Sequence, residues 1–167
     1  KASVDYIGEA SDRKATLVCF PEFQMAFSPS KQSSKDLANK VAEYVRGGNF
    51  ISVLCRAAKR NKINVIATIY EKNRDKNEFR VHDTAVMINN KGNITSVYRK
   101  LHLYDALGFK ESNKLIQGNI IEKPVSTVVG NIGLMICYDI RFPEMSRILT
   151  VNGADTLVVP SAWVQGI

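Results

Sequence analysis

Only two histidines, His82 and His102, and three cysteines, Cys19, Cys55 and Cys137, occur in 167 residues, and no CxxC or HExxH spacing joins any of them. That scarcity argues against a transition-metal framework, which needs clustered imidazoles and thiolates. Glycine-rich phosphate cradles of the GxGxxG or Walker A kind are absent too, so the chain carries no nucleotide-binding signature. No apolar run approaches the ~20 residues of a membrane-spanning helix. An odd cysteine count in a chain too large to need disulfide staples points to free thiols in a reducing compartment, and a cytoplasmic location is expected.

What is present is ordinary globular composition, 45% hydrophobic and 23% charged. The length suits one domain with a substantial core. A net charge of +7 raises the question of nucleic acid. However, the basic residues are scattered, as in Arg56, Lys59, Arg60 and Lys62, then Lys72, Arg74 and Lys76. Scattered charge reads as solvated helix faces and turns rather than a phosphate track. Neither a nucleic-acid nor a membrane partner is expected.

Along the chain, Val4 and Ile7 suggest a helix that leads into a strand at Leu17–Phe20, whose continuous apolar run predicts burial on both faces. Residues 28–36 read as a loop. A helix is expected from Leu37 to Val45, stopped by Gly47 and Gly48. A second helix follows, with Asn49 as N-cap and Phe50, Val53, Leu54, Ala57 and Ala58 as its apolar stripe. From residue 64 the period shortens, and strands are expected at 64–72, 81–89, 93–100 and 133–137. Residues 142–153 predict a helix with Pro143 near N1 and Gly153 near C′, and 155–163 returns as a strand. This alternation indicates the α/β class.

In a buried α/β sheet, chemistry is usually placed just beyond strand ends. Glu22, Lys100 and Cys137 each stand at such a position. A thiol is a strong nucleophile once deprotonated, a carboxylate can remove its proton, and an ammonium can stabilise an oxyanion. Taken singly, each residue also has an ordinary reading: Cys137 as core filling, Glu22 as a loop cap, Lys100 as a surface lysine. Cys19 and Cys55 are assigned to the core, and His102 to a structural hydrogen bond.

Four stretches decide between these readings. "FPEF" at 20–23, "YRKLHLYD" at 98–105, "GFKES" at 108–112 and "ICYDIRFPE" at 136–144 resemble the nitrilase superfamily of carbon–nitrogen hydrolases, most closely its Nit and omega-amidase branches. The resemblance implies a four-layer α-β-β-α sandwich and a single domain over 1–167. It also implies that the family's first strand would precede Lys1 and that the rest of the sandwich would follow Ile167. It maps a Glu–Lys–Cys triad onto Glu22, Lys100 and Cys137. A second, substrate-orienting glutamate falls on Glu111, and an oxyanion contact on the backbone N–H of Tyr138. Asp139 and Arg141 are expected to form an ion pair or to fix the loop.

The activity so implied is amide hydrolysis through a cysteine thioester. The expected substrate is a small carboxylated amide of the omega-amidase or deaminated-glutathione type, with no metal or organic cofactor. N-carbamoyl or nitrile hydrolysis is the alternative within the enzyme class, and a non-catalytic interaction subunit is the alternative outside it. The resemblance further implies a homodimer or larger homo-oligomer.

Overall fold

A computed structural model describes residues 1–26 and 32–163. Its first sheet has the order β1-β2-β3-β4, formed by Leu17–Cys19, Asn64–Glu71, His82–Ile88 and Ile94–Arg99. β1 runs parallel to β2, while β2, β3 and β4 are mutually antiparallel. The second sheet, β5-β6-β7, comprises Val125–Thr127, Gly130–Leu134 and Thr156–Val158.

Strand alternation explains how the layers stack. Val65, Ala67 and Ile69 of β2, with Val86 and Ile88 of β3, face α1 (Ala2–Asp12) and α3 (Asn49–Asn61), where Ile7, Ile51, Leu54, Ala57 and Ala58 are buried. The opposite face carries Ile66, Ala85, Met87 and Tyr98, which pack with Ile132 and Leu134 of β6. Gly133 points the other way, so that a Cβ there would lie 3.3 Å from Leu149 Cβ on α4 (Pro143–Val151). The order of layers is therefore helix, sheet, sheet, helix. β2 is buried at every residue because it lies between two strands and under two layers.

Several expectations hold closely. β2, β3 and β4 fall inside their predicted ranges. α4 starts with Pro143 at its first turn, and Gly153 beyond its C-cap has φ +94°, the left-handed conformation in which glycine is favoured.

Others are corrected. β1 is an edge strand of the described sheet, and Cys19 at its end is exposed rather than in the core. A continuous apolar run reports composition, not the number of neighbouring strands. Cys55 is only partly buried, beside the apolar stripe of α3. That stripe centres on Ile51, Leu54, Ala57 and Ala58. The helix expected over 37–45 is a helical turn, α2 (Ser34–Asp36), running into a π turn at Leu37–Val41. It ends early because Glu43 makes a parallel bridge with Glu71.

The N-cap of α3 is Gly48, not Asn49, and Glu43 Oε2 accepts from the Phe50 N–H at 2.8 Å. Of the loop read over 28–36, residues 28–31 lie outside the described ones, and 34–36 are helical. β6 ends at Leu134, short of the predicted 137, although Met135 still donates its N–H to Val158 O at 3.1 Å. β5 was not expected, because three residues give too short a pattern to read.

Candidate active site

Glu22 sits on the turn that follows β1 and is 4% exposed. Thr68 of β2 holds this turn: its hydroxyl donates to Pro21 O and accepts from the Gln24 N–H, both at 3.1 Å. Phe23 takes φ +58° to complete the turn. Glu22 Oε2 accepts from the Ala162 N–H at 3.1 Å, which ties it to the segment beyond β7.

Lys100 immediately follows β4 and is 1% exposed. Its main chain is clamped on both sides, with its N–H on Asp83 O at 2.9 Å and its carbonyl accepting from Gly118 at 2.7 Å. A Cβ at Gly118 would lie 2.3 Å from Arg99 O, so only glycine permits that approach. The ammonium donates to Glu22 Oε1 at 2.8 Å and to Glu111 Oε2 at 3.0 Å. Glu111 Oε2 also accepts from the Tyr104 N–H at 2.8 Å.

Cys137 opens a 3-10 turn, Cys137–Arg141, with φ +43°, and its N–H donates to Pro160 O at 2.9 Å. Its thiol lies beside the Glu22 carboxylate, whose Oε2 holds the Ala162 N–H. The structure therefore brings Glu22, Lys100, Glu111 and Cys137 together. Tyr138 follows directly, its ring edge-on to Tyr104 at 4.9 Å and to Phe142 at 5.5 Å.

The electrostatics follow from burial and crowding. Burial and the nearby Glu22 push the Cys137 thiol up to about 11, so it rests protonated and needs a base before it can attack. Burial works against the Lys100 ammonium, but the carboxyl groups of Asp83, Glu22 and Glu111 outweigh it and hold its pKa above the usual lysine range. Burial raises Glu111 too, with Lys100 opposing. Among the described residues no group of three or more His, Cys, Asp and Glu is arranged to hold a metal ion. The space between the carboxyls is filled by the Lys100 ammonium.

This arrangement has the parts for acyl transfer: a thiol, a base in contact with it and a fixed cation. The sequence matches the model of the carbon-nitrogen hydrolase family over residues 1–167. The chain belongs to the carbon-nitrogen hydrolase family. It is 37% identical over 161 residues to the deaminated glutathione amidase of Escherichia coli O157:H7, covering 96% of this chain and 58% of that protein. To the deaminated glutathione amidase of Bos taurus it is 31% identical over 170 residues, covering 98% and 50%. The C. elegans NitFhit protein superposes with a TM-score of 0.82 at 28% identity, over 98% of this chain and 40% of that one. These matches bear out the nitrilase-superfamily resemblance and its Nit-like branch. The chain spans about half the length of the curated relatives it matches.

In this member of the carbon-nitrogen hydrolase family, Asp139 does not pair with Arg141. It accepts from the Tyr98 hydroxyl at 2.6 Å, the Ile136 N–H at 2.8 Å and the His102 N–H at 3.0 Å, and faces His102 Nδ1 at 2.8 Å. Its contribution is to fix the loop, joining the strand end that carries Lys100 to the turn that carries Cys137. The Arg141 guanidinium instead lies over the Trp163 ring, 5.8 Å from its centre. His102, expected to be a structural hydrogen-bonder, stacks on Phe142 with ring centres 3.6 Å apart.

Sequence reasoning missed Thr68, Asp83, Gly118 and Ala162. A threonine and an aspartate inside otherwise apolar strands were a usable signal. The contributions of Gly118 and Ala162 come through the backbone and leave no side-chain pattern to read.

Proposed function

We propose that the protein hydrolyses a non-peptide C–N bond, as an amidase that releases ammonia from a small carboxylated amide through a cysteine thioester. The observation that carries this reading is the position of Glu22, whose carboxylate meets the Cys137 thiol and the Lys100 ammonium in one buried cluster. Glu22 removes the thiol proton as sulfur attacks the amide carbonyl carbon. Lys100 and the Tyr138 N–H stabilise the oxygen as it becomes anionic, and Glu111 keeps the ammonium directed. The C–N bond then breaks, and the nitrogen leaves as ammonia with the proton that Glu22 held. Glu22 next activates water, which cleaves the thioester to a carboxylic acid and restores the thiol. Splitting one hard displacement into two easier ones is the advantage of the covalent route.

Two relatives named deaminated glutathione amidase, at 37% and 31% identity, support a substrate of the omega-amidase or deaminated-glutathione type. Three free cysteines support a reducing compartment and a cytoplasmic location. Among the described residues no helix is long and apolar enough to cross a membrane. Exposed Ile140, Ile148 and Val151 on and beside α4 support a homodimer or larger homo-oligomer, which sedimentation measures directly.

The deciding experiment follows ammonia release by the whole protein from a panel of ω-amides, N-carbamoyl amino acids and nitriles. The reading expects the carboxylated amides to be turned over fastest. Nitriles or carbamoyl compounds turned over faster than any amide would overturn the substrate assignment.

A further inference from the structure

Behind the triad lies a carboxyl that the mechanism above does not use. Asp83, on β3, is 1% exposed, and neither of its oxygens has a hydrogen-bond donor. The Lys100 ammonium is 4.0 Å from Oδ2, beyond hydrogen-bonding range, although the Asp83 main-chain carbonyl accepts the Lys100 N–H. The Asp83 side chain lies against that of Glu22, and Glu111 and the Tyr98 hydroxyl are its other titratable neighbours. An ionised carboxylate can only accept hydrogen bonds, so an ionised Asp83 would be buried with nothing to accept. A neutral carboxylic acid carries one O–H and can donate it, and the adjoining Glu22 carboxylate is an acceptor.

Charge counting leads to the same place. Lys100 supplies one buried positive charge. Glu111 accepts from two N–H donors, and Glu22 must be ionised to take a proton from Cys137. A third ionised carboxyl in this cluster would have no compensating cation.

We propose that Asp83 is a positioning residue of the catalytic centre, a neutral carboxylic acid whose O–H is donated to Glu22, fixing the orientation and the basicity of the general base. Burial, with Glu22 beside it, raises the Asp83 carboxyl well above the usual carboxylate range, consistent with that protonation state. The proposal rests on the role given to Glu22 in the proposed function. A hydrogen bond donated to a carboxylate favours its charged form. Asp83 therefore aims the Glu22 carboxylate that faces Cys137.

The test compares the whole protein with its Asp83→Ala and Asp83→Asn variants. Asp83→Ala is expected to lower kcat by about 10- to 100-fold with little change in KM, the cost of a misaimed catalytic group. It should also move the acid limb of the kcat/KM profile to higher pH, by roughly one unit. Asp83→Asn, whose amide N–H can replace the lost donor, should restore most of that rate and return the limb toward its parental position. An Asp83→Asn variant that moves the acid limb to lower pH would overturn the proposal, because it would mean that a negative charge had been removed beside Glu22. So would an Asp83→Ala variant with the parental profile.

The infrared difference spectrum between the parent and Asp83→Asn reads the proton without reference to turnover. At neutral pH it should contain the C=O stretch of a protonated carboxylic acid that shifts in D2O; a carboxylate band instead overturns the proposal. A parent inactive on every amide would contradict the proposed function, while the infrared band would still decide where the proton resides.

Discussion

Glu22 and Lys100, 78 residues apart in the chain, meet through a 2.8 Å bond from Nζ to Oε1, with each side chain only 1% exposed. A buried pair of this kind is costly to break from one side, because the remaining charge has nowhere to go. It is also the link between two loops that would otherwise be independent, one after β1 and one after β4. Its consequences can be measured in stability and in rate.

Lys100→Met leaves Glu22 and Glu111 adjacent with no cation between them. We expect a loss of about 3–5 kcal/mol in unfolding free energy and a fall in kcat of at least about 100-fold. Urea unfolding and steady-state kinetics check the two values. A Lys100→Met protein as stable as the parent would contradict the buried charge cluster.

The Cys137 thiol gives a pH dependence whose sign can be worked out. Its folded pKa is raised to about 11, from an ordinary value of 9.0. Between those values the native state keeps the proton while the unfolded chain releases it. The associated stability is therefore fully present below pH 9 and is lost as pH rises toward 11. Cys137→Ala should make the fall in unfolding free energy over that range shallower than in the parent. Identical slopes in the two proteins would contradict a raised thiol at 137.

Asp139→Asn places an N–H donor among groups that are themselves donors. Tyr98, Ile136 and His102 all direct hydrogens at the Asp139 carboxylate, and any one left unpaired costs about 1–3 kcal/mol. Thermal unfolding should show a lowered Tm, and kcat should fall because the Cys137 turn is no longer tied to the Lys100 segment. An unchanged Tm would remove Asp139 from this tethering role.

Gly118→Ala tests the clamp on Lys100. The new Cβ would lie 2.3 Å from the carbonyl oxygen of Arg99, so the backbone must shift. Loss of the 2.7 Å bond from the Gly118 N–H to Lys100 O is expected to follow. We predict a loss of about 1–3 kcal/mol and a drop in kcat larger than any rise in KM. Parental kinetics would show that Lys100 does not need this support.

Much of the candidate site was legible in the sequence, for identifiable reasons. Glu22, Lys100 and Cys137 stand beyond apolar runs, and the resemblance carried by four short motifs singled them out together with Glu111, whatever the strand limits. The central strands were equally plain, because burial on both faces leaves a mostly apolar run such as Val65–Tyr70 of β2, broken only by Thr68. What escaped were effects of neighbours rather than of composition. The helix read through Val45 stops at Val41, because Glu43 bridges to Glu71, a long-range contact that helical periodicity does not encode. Asp139 and Arg141, two residues apart, invited an ion pair. The real partners of Asp139 include Tyr98 and His102, which the topology brings in from β4 and the loop after it.

The central claim is that Cys137 forms a thioester with the acyl part of an amide. Acid quenching during turnover, followed by peptide mass spectrometry, tests it most directly. The account predicts that the peptide containing Cys137 gains the mass of the substrate's acyl group, and that Cys137→Ala loses both the adduct and ammonia release. Turnover with no adduct on Cys137, an adduct on Cys19 or Cys55 instead, or a Cys137→Ala protein that hydrolyses amide at the parental rate would contradict it.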